Sequence, residues 1–246
     1  MNGVWKLSAQ ENSVSVLLID IGNTRIKWQT RQRGEILAEG HVDKNKAPHY
    51  AWPDSIDEVA VSSVSTNEEL RELFSARYGN RLRWIAHPVE GHAGFHHCYA
   101  EPKRLGVDRW LAMLGARAIF REDLLVVDAG TALTLDLLDK NNQHLGGYIV
   151  PGIQMAQRAL FGGTDRVRPF SDEQHDTNLA PGKSTVACVK AGVLHQQAAL
   201  VKSVAENYKD FRLVVTGGDG AQLADWLDSG YYPNLIFDGM ELLCAG

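Results

Sequence analysis

One short pattern occurs twice in the chain, and this repeat constrains the fold more than any other feature. Residues 17–24 read LLIDIGNT and residues 125–131 read LVVDAGT. In each copy an apolar run typical of a buried strand ends in an aspartate, followed two positions later by glycine and then by a threonine close behind. The repeat predicts two domain-sized halves of similar fold rather than a short tandem repeat.

Secondary-structure signals around the two copies support this division. Predicted strands before residue 105 span 14–19, 26–30, 36–42, 58–61 and 82–86. Predicted strands after it span 124–127, 132–138, 144–150, 213–216 and 235–237. Helical spacing predicts helices over 67–78, 107–120, 151–160, 185–208 and 221–227, with Pro151 near a helix start. We therefore expect an α/β protein with the order β-β-β-α-β-α-β before residue 105 and a similar run from residue 124.

The residue types of the repeated turn suit a phosphate and a cation. Glycine lets the backbone approach a ligand closely, and successive amide N–H groups form an anion-binding concavity. Asp20 and Asp128 stand at strand ends, where ligands sit in α/β sheets. Because a carboxylate repels phosphate, each aspartate is expected to hold a cation or its waters. A single Asp-X-Gly is more often an ordinary β-turn, and the second copy is what favours a polyphosphate clamp between the halves.

Other local motifs give weaker signals. Residues 216–220 read TGGDG after a predicted strand, which suits contact with a nucleoside or ribose and equally suits a simple loop. Residues 182–184 resemble the end of a P-loop, but Thr177 stands where that motif needs glycine. The three histidines of residues 92–97 are interrupted by glycines and have no cysteine pair nearby, so we predict a loop without zinc.

Composition and charge describe a globular chain with no nucleic-acid signature. Of 246 residues 44% are hydrophobic, which is enough for a substantial core, and the net charge is −5. No dense run of lysine and arginine occurs, and the pairs at 31 and 33 and at 44 and 46 are predicted to be solvated surface. We therefore expect no nucleic-acid partner.

The start of the chain and its cysteines indicate the cytoplasm. Residues 1–13 are polar and lack the apolar segment of a signal peptide, so they are predicted to be a flexible extension. The apolar run at 16–19 is too short to span a membrane, and no membrane partner is expected. The odd cysteine count predicts no disulfide framework. These cysteines are Cys98, Cys188 and Cys244.

Taken in order, the motifs resemble those of a known family. The two aspartate turns and the 216–220 turn resemble the actin-like ATPase fold of sugar and acetate kinases and heat-shock chaperones. A more specific set is similar to the type III pantothenate kinases, and this resemblance covers roughly residues 14–240. The set comprises DIGNTRIK at 20–27, Tyr99 with Pro102, GVDRW at 106–110, DAGTA at 128–132 and GGYIVPG at 146–152.

The resemblance implies a fold, a reaction and partners. It implies two similar actin-like (ribonuclease H-like) domains, residues 1–119 and 120–246, with the active site in the cleft between them. It implies that ATP and pantothenate react to 4′-phosphopantothenate and ADP, the first step of coenzyme A biosynthesis. It also implies dependence on a divalent cation such as Mg²⁺ and on K⁺ or NH₄⁺, and assembly as a homodimer.

The resemblance also implies roles for individual residues. The ATP phosphates would be lined by Asp20, Gly22, Asn23, Thr24, Lys27 and Thr131. Pantothenate would be surrounded by Tyr99, Gly106, Val107, Asp108, Arg109 and Thr185. Asp108 would be the general base, and Asp128 would bind the monovalent cation. One departure is His97, where the family is expected to have asparagine.

Several alternatives stay open on sequence alone. Asp108 opens a predicted helix, where the helix dipole by itself favours a carboxylate. The guanidinium of Arg109 suits the carboxylate of pantothenate and equally suits a structural ion pair. The first rival function is a kinase for another small hydroxy compound on the same fold. The second is a non-catalytic nucleotide-binding regulator, against which the retention of Asp20, Asp108 and Asp128 argues.

Overall fold

The computed structural model describes residues 14–23, 25–64, 67–89, 91–163 and 180–244. The first sheet contains β1 (Ser15–Ile21), β2 (Arg25–Gln32), β3 (Glu35–Asp43), β4 (Glu58–Ser63) and β5 (Leu82–Ile85). The second sheet contains β6 (Leu124–Ala129), β7 (Ala132–Leu138), β8 (His144–Pro151), β9 (Arg212–Thr216) and β10 (Gly230–Tyr231). The α-helices are α1 (Glu68–Tyr78), α2 (Val107–Ile119), α3 (Ile153–Gly163), α4 (Thr185–Asn207), α5 (Gly220–Leu227) and α6 (Leu235–Cys244).

The two sheets share one topology. Their strand orders are β3-β2-β1-β4-β5 and β8-β7-β6-β9-β10, which correspond position by position. In each sheet the first three strands in the chain are antiparallel neighbours and the last two add in parallel. The predicted duplication of an α/β unit with mixed sheets is therefore confirmed. In the first half β4 precedes α1, and the order is β-β-β-β-α-β-α. The positions of the individual predicted strands and helices agree with this order, whereas the expected order β-β-β-α-β-α-β is wrong because it leaves out one strand before α1.

Each central strand is buried on both faces. Because side chains alternate along a strand, Leu17 and Ile19 of β1 face the cluster under α1, whereas Val16 and Leu18 face the opposite side. The equivalent strand β6 divides in the same way between two apolar clusters. Burial on both faces explains why these strands read as continuous apolar runs.

Helices α2 and α6 lie together between the two halves. The apolar cluster around them includes residues of β1 and β4 from the first sheet and of β6 and β9 from the second. Trp110 and Leu111 of α2 are fully buried in this cluster. Helix α2 therefore joins the two sheets, and its N-terminus is placed by contacts with both.

One prediction of an element's type and one of a helix start are wrong. Residues 235–237 begin α6 rather than forming a strand. A three-residue apolar run cannot distinguish strand from helix, and the buried residues Leu235, Gly239 and Leu243 follow helical spacing. Pro151 is the last residue of β8, and α3 begins only at Ile153.

The prediction that Arg31 is solvated surface is also wrong. Its side chain is buried, and its guanidinium donates to Asp238 and Glu241 at 2.8 Å each. Both carboxylates lie on α6, which crosses back to pack against β1 and β4. Because the sequence predicts a strand at 235–237 and no helix beyond it, it offers Arg31 no partner.

Some predictions lie outside what the structure tests. The extension at 1–13 falls outside the described residues, and the domain boundary between 119 and 120 stays a prediction. None of the helices in the described part of the chain is long and apolar enough to cross a membrane.

The close packing of α2 on α6 leads to a stability prediction. A Cβ atom at Gly115 would lie 2.0 Å from the backbone oxygen of Leu235, and the backbone cannot give way cheaply. Gly115→Ala is expected to lower the free energy of unfolding by about 2–3 kcal/mol, measured by urea denaturation. The control is Gly192→Ala in α4, where a Cβ meets nothing within 4 Å. That variant is expected to gain about 0.5–1 kcal/mol, and equal effects of the two substitutions would contradict this packing.

Candidate active site

Asp20 and Asp128 occupy equivalent positions at the ends of equivalent strands. Asp20 is on β1, opposite Ser62 of the parallel strand β4, and the Ser62 hydroxyl donates to its Oδ1 at 2.7 Å. Asp128 is on β6, opposite Thr216 of the parallel strand β9. The matching registers show that both halves deliver a carboxylate at the same place in their sheets.

The positive charge of Lys27 acts on both carboxylates. It lies on β2 directly opposite Asp20 in the antiparallel pair. Its charge lowers the pKa of Asp20 and also acts on Asp128 and Asp219 of the second half. The charge of Lys27 therefore acts on carboxylates of both halves.

The carboxylates of the two halves are close enough to repel one another. Burial raises the pKa of Asp20 to about 6, and the charge of Asp108 adds to the rise. Burial raises the pKa of Asp128 to about 7, with further contributions from the charges of Asp108 and Asp20. The structure thus gathers three predicted site residues from β1, β6 and α2 around one cleft.

Asp108 is the second residue of α2 and serves the helix end as well as the cleft. Its Oδ1 accepts from the backbone N–H of Arg109 at 2.8 Å, as expected for an acid in a first helical turn. Gly106 leaves room for this carboxylate, since a Cβ there would lie 2.6 Å from Oδ1. Burial raises the pKa of Asp108, which strengthens this carboxylate as a proton acceptor.

Arg109 forms a structural ion pair beside this group. Its Nε and Nη2 donate to the two oxygens of Asp136 at 2.9 and 2.6 Å, and both side chains are buried. Its Nη1 donates to the hydroxyl of Tyr99 at 2.8 Å. Of the two alternatives for Arg109, the structure contains the structural ion pair. A contact between Arg109 and pantothenate stays a prediction.

The partner of Arg109 is missing from the sequence prediction, although the chain carries a signal for it. Asp136 interrupts the apolar strand β7, where a carboxylate needs a buried partner. Gly147 of β8 makes the space, because a Cβ there would lie 2.8 Å from both Arg109 Nη2 and Asp136 Oδ1. The GGYIVPG motif therefore accommodates the ion pair.

The remaining turn residues differ in what the structure says of them. Gly22 donates its N–H to the carbonyl of Arg25 at 3.1 Å, and Asn23 is exposed at the tip of the β1–β2 turn. Thr24 lies outside the described residues. Thr131 is exposed in the equivalent β6–β7 turn, where its carbonyl accepts from the N–H of Gly152 at 2.9 Å.

The third glycine turn lies against the second aspartate turn. The N–H of Asp219 donates to the carbonyl of Ala129 at 2.9 Å. The hydroxyl of Tyr231 donates to the carbonyl of Gly217 at 2.9 Å, and the charge of Asp128 contributes to a raised Tyr231 pKa after the larger effect of burial. The turn at 216–220 thus borders the cleft, beside the position expected for the phosphates.

Two predicted substrate residues are placed differently from the rest. The side chain of Val107 is buried in the apolar core, so a contact with substrate would fall to its backbone. Thr185 is the first residue of α4, where it lines an open cavity of about 570 Å³ with Gly182, Lys183 and Ser184. Within the described residues no hydrogen bond or ion pair joins Thr185 to the carboxylate cluster.

The cleft offers suitable ligands for cations, though not a complete protein cage. Within the described ranges no three His, Cys, Asp or Glu side chains stand close enough to hold a metal ion. Asp20 and Asp128 supply the oxygen ligands that hard cations prefer, and their mutual repulsion would be relieved by positive charge. A cation here would complete its shell with phosphate oxygens and water.

Comparison with known proteins is consistent with this geometry. The chain matches the model of the type III pantothenate kinase family over residues 16–207. A type III pantothenate kinase from Marinobacter nauticus is 35% identical over 243 residues, which cover 94% of this chain and 98% of that protein.

Two solved structures share the fold. A Campylobacter jejuni protein described as a Baf-family transcriptional activator superposes with a TM-score of 0.63 and 26% identity, covering 92% of this chain and 95% of that one. The activator of 2-hydroxyisocaproyl-CoA dehydratase from Clostridium difficile gives a TM-score of 0.51 at 14% identity over 94% of each chain. The predicted two-domain actin-like fold is confirmed, and the chain belongs to the type III pantothenate kinase family.

Proposed function

We propose that the cleft between the two sheets transfers the γ-phosphoryl group of ATP to pantothenate, with Asp108 as the general base. The reaction follows from family membership: ATP and pantothenate give 4′-phosphopantothenate and ADP, the first step of coenzyme A biosynthesis. The observation that supports this site best is that the charges of Asp108 and Lys27 act on both Asp20 and Asp128, which come from the two halves.

Phosphoryl transfer depends mainly on positioning and charge neutralisation. The amides of the β1–β2 and β6–β7 turns would face the phosphate oxygens, with Gly22, Asn23, Thr24 and Thr131 contributing to these turns. Lys27 would balance part of the charge on the phosphates. Mg²⁺ bound through Asp20 and a monovalent cation bound at Asp128 would supply the remaining positive charge.

The phosphoryl acceptor, pantothenate, would bind at the first turn of α2. The nucleophile is a primary hydroxyl, and Asp108 would orient it and accept its proton as the new bond forms. The raised pKa of Asp108 makes it a stronger base than an exposed aspartate. Tyr99, Gly106 and Arg109 would border pantothenate, with Arg109 held in place by Asp136.

The rival functions receive less support. The name of the Campylobacter protein fits a transcriptional regulator, but a regulator has no need for three mutually repelling carboxylates in one cleft. A kinase for another hydroxy compound would share the phosphate site. The substrate would be distinguished by ADP release with pantothenate compared with a panel of other small alcohols.

We also propose that the chain forms a homodimer in the cytoplasm. β8 is the edge strand of the second sheet, and its residues Tyr148 and Ile149 are 45% and 60% exposed. Met155 and Leu160 on the following helix α3 are also exposed. Such an apolar edge and helix suit burial against a second copy.

Replacing the base is expected to abolish most turnover. Asp108→Asn keeps the size of the side chain but cannot accept the proton, so kcat is expected to fall by about 10²–10⁴-fold with the fold retained. Glu69→Gln is the matched control, because Glu69 occupies the same first-turn position of α1 and is exposed. Pantothenate-dependent ADP release measures both variants, and near-normal turnover of Asp108→Asn would exclude the proposed base.

Neutralising Asp128 is expected to stabilise the protein without nucleotide. Its folded-state pKa of about 7 exceeds the ordinary 3.8, so its ionisation costs stability progressively as pH rises between these values. Without nucleotide or added Mg²⁺ and K⁺, Asp128→Asn should therefore be more stable than wild type at pH 8, by on the order of 2 kcal/mol after allowance for partial exposure. At pH 4 the difference should largely vanish.

The same variant tests the cation site by activity. Asp128→Asn is expected to lose the stimulation that wild type shows when K⁺ or NH₄⁺ replaces Na⁺. An unchanged K⁺ response would exclude Asp128 from the cation site. A variant less stable than wild type at pH 8 would contradict the raised pKa of Asp128.

A substitution that adds one charge tests the proposed dimer surface. Ile149→Lys would place an ammonium group in the proposed contact and is expected to shift the mass measured by light scattering from two chains to one. Ile36→Lys is the control, because Ile36 is an exposed residue of β3, the corresponding edge strand of the first sheet. A monomeric wild type, or a dimer retained in Ile149→Lys, would contradict the proposal.

A further inference from the structure

The three cysteines differ sharply in their surroundings, and none forms a disulfide. Cys98 is exposed, and its Sγ lies 3.6 Å from Nδ1 of His144. Cys188 is also exposed, but its Sγ donates to the carbonyl of Gly182 at 3.3 Å. Cys244 is partly buried, and burial raises the pKa of its thiol to about 11.

His144 is oriented as a base toward Cys98. Its Nε2 lies 2.8 Å from Oδ1 of Asp136, and the ring is fully buried. The carboxylate of Asp136 accepts two hydrogen bonds from Arg109, and Nε2 of His144 lies in position to donate to the same group. In the neutral tautomer with hydrogen on Nε2, Nδ1 is the acceptor that faces the thiol. Cysteine, imidazole and carboxylate in this sequence form the arrangement that activates cysteine nucleophiles.

The backbone holds this contact in place. His96 pairs with Gln143 in an isolated parallel bridge, and the N–H of His144 donates to the carbonyl of His96 at 2.7 Å. The rings of Phe95 and Tyr99 flank the imidazole at centroid distances of 6.5 and 6.1 Å. The segment that carries Cys98 is therefore fixed against the start of β8, while Cys98 itself is exposed.

We propose that Cys98 is a reactive thiol and a modification site for small disulfides. The Sγ of Cys98 attacks one sulfur of the disulfide, so that a new S–S bond forms and the original one breaks. The thiol proton passes to Nδ1 of His144 and from there to the departing thiolate. The small disulfide is the oxidant: Cys98 ends as a mixed disulfide, and the other half of the reagent leaves as a thiol.

A consequence for catalysis rests on the proposed function. Cys98 precedes Tyr99, whose hydroxyl accepts from Arg109 in the region proposed for pantothenate. His144 shares Asp136 with the same arginine. An adduct on Cys98 is therefore expected to raise the KM for pantothenate several-fold and to leave the KM for ATP nearly unchanged.

The test compares the three thiols within one folded molecule. The wild-type chain is incubated with glutathione disulfide, and the adducts are located over time by peptide mass spectrometry. Cys98 is expected to react about tenfold faster than Cys188, with Cys244 unmodified. Equal rates at the two exposed cysteines, or a faster reaction at Cys188, would overturn the proposal.

One variant tests the role of the imidazole. His144→Gln is expected to slow the reaction of Cys98 to the rate of Cys188, and an unchanged rate would contradict activation by the imidazole. Should this buried substitution prevent folding, as judged by circular dichroism, the wild-type comparison decides alone.

Activity measurements keep this proposal distinct from the kinase proposal. Cys98→Ser is expected to retain turnover and to become insensitive to glutathione disulfide, whereas Cys188→Ser stays sensitive. Selective labelling of Cys98 with an unchanged KM for pantothenate would overturn the catalytic consequence alone. Absence of pantothenate-dependent ADP release from the unmodified chain would contradict the kinase proposal and leave the modification site standing.

Discussion

The mutual repulsion of Asp20, Asp108 and Asp128 is the constraint on which the rest of the structure depends. Burial raises the pKa of all three carboxyl groups, and the charge of Asp108 raises the pKa of Asp20 and Asp128 further. The charge of Lys27 lowers the pKa of Asp20 and Asp128 and so offsets only part of this rise. A protein keeps such a cluster only where the surrounding fold supplies enough stability. In the proposed function the same negative charge would favour the cations that accompany a polyphosphate, which links the repulsion to phosphoryl transfer.

Helix α2 is the central element of the structure that holds these carboxylates near one another. Its middle packs against α6 so closely that the contact requires glycines at 115 and 239. Its first turn is tied to the second sheet by the ion pair between Arg109 and Asp136. Helix α6 in turn is tied to β2 through Arg31. Because both sheets are fixed to one pair of helices, the carboxylates at their strand ends keep a defined spacing.

Local patterns in the sequence predict the strands and the two aspartate turns well. Continuous apolar runs such as that of β1 report burial on both faces, and the repeated Asp-X-Gly marks equivalent strand ends. What local patterns miss are partners far apart in the chain. Asp136 contacts Arg109 and His144 only because β7 and β8 lie against the first turn of α2. Arg31 reaches its two carboxylate partners only because residues 235–244 form a helix.

The central claim is that Asp20 and Asp128 from the two halves repel each other across one cleft. A double-mutant cycle measures this directly, through the free energies of unfolding of wild type, Asp20→Asn, Asp128→Asn and the double variant at pH 8 without nucleotide, Mg²⁺ or K⁺. The account predicts that the stabilisation from Asp20→Asn shrinks by about 1 kcal/mol or more once Asp128 is already neutral. Additive effects of the two substitutions would contradict it.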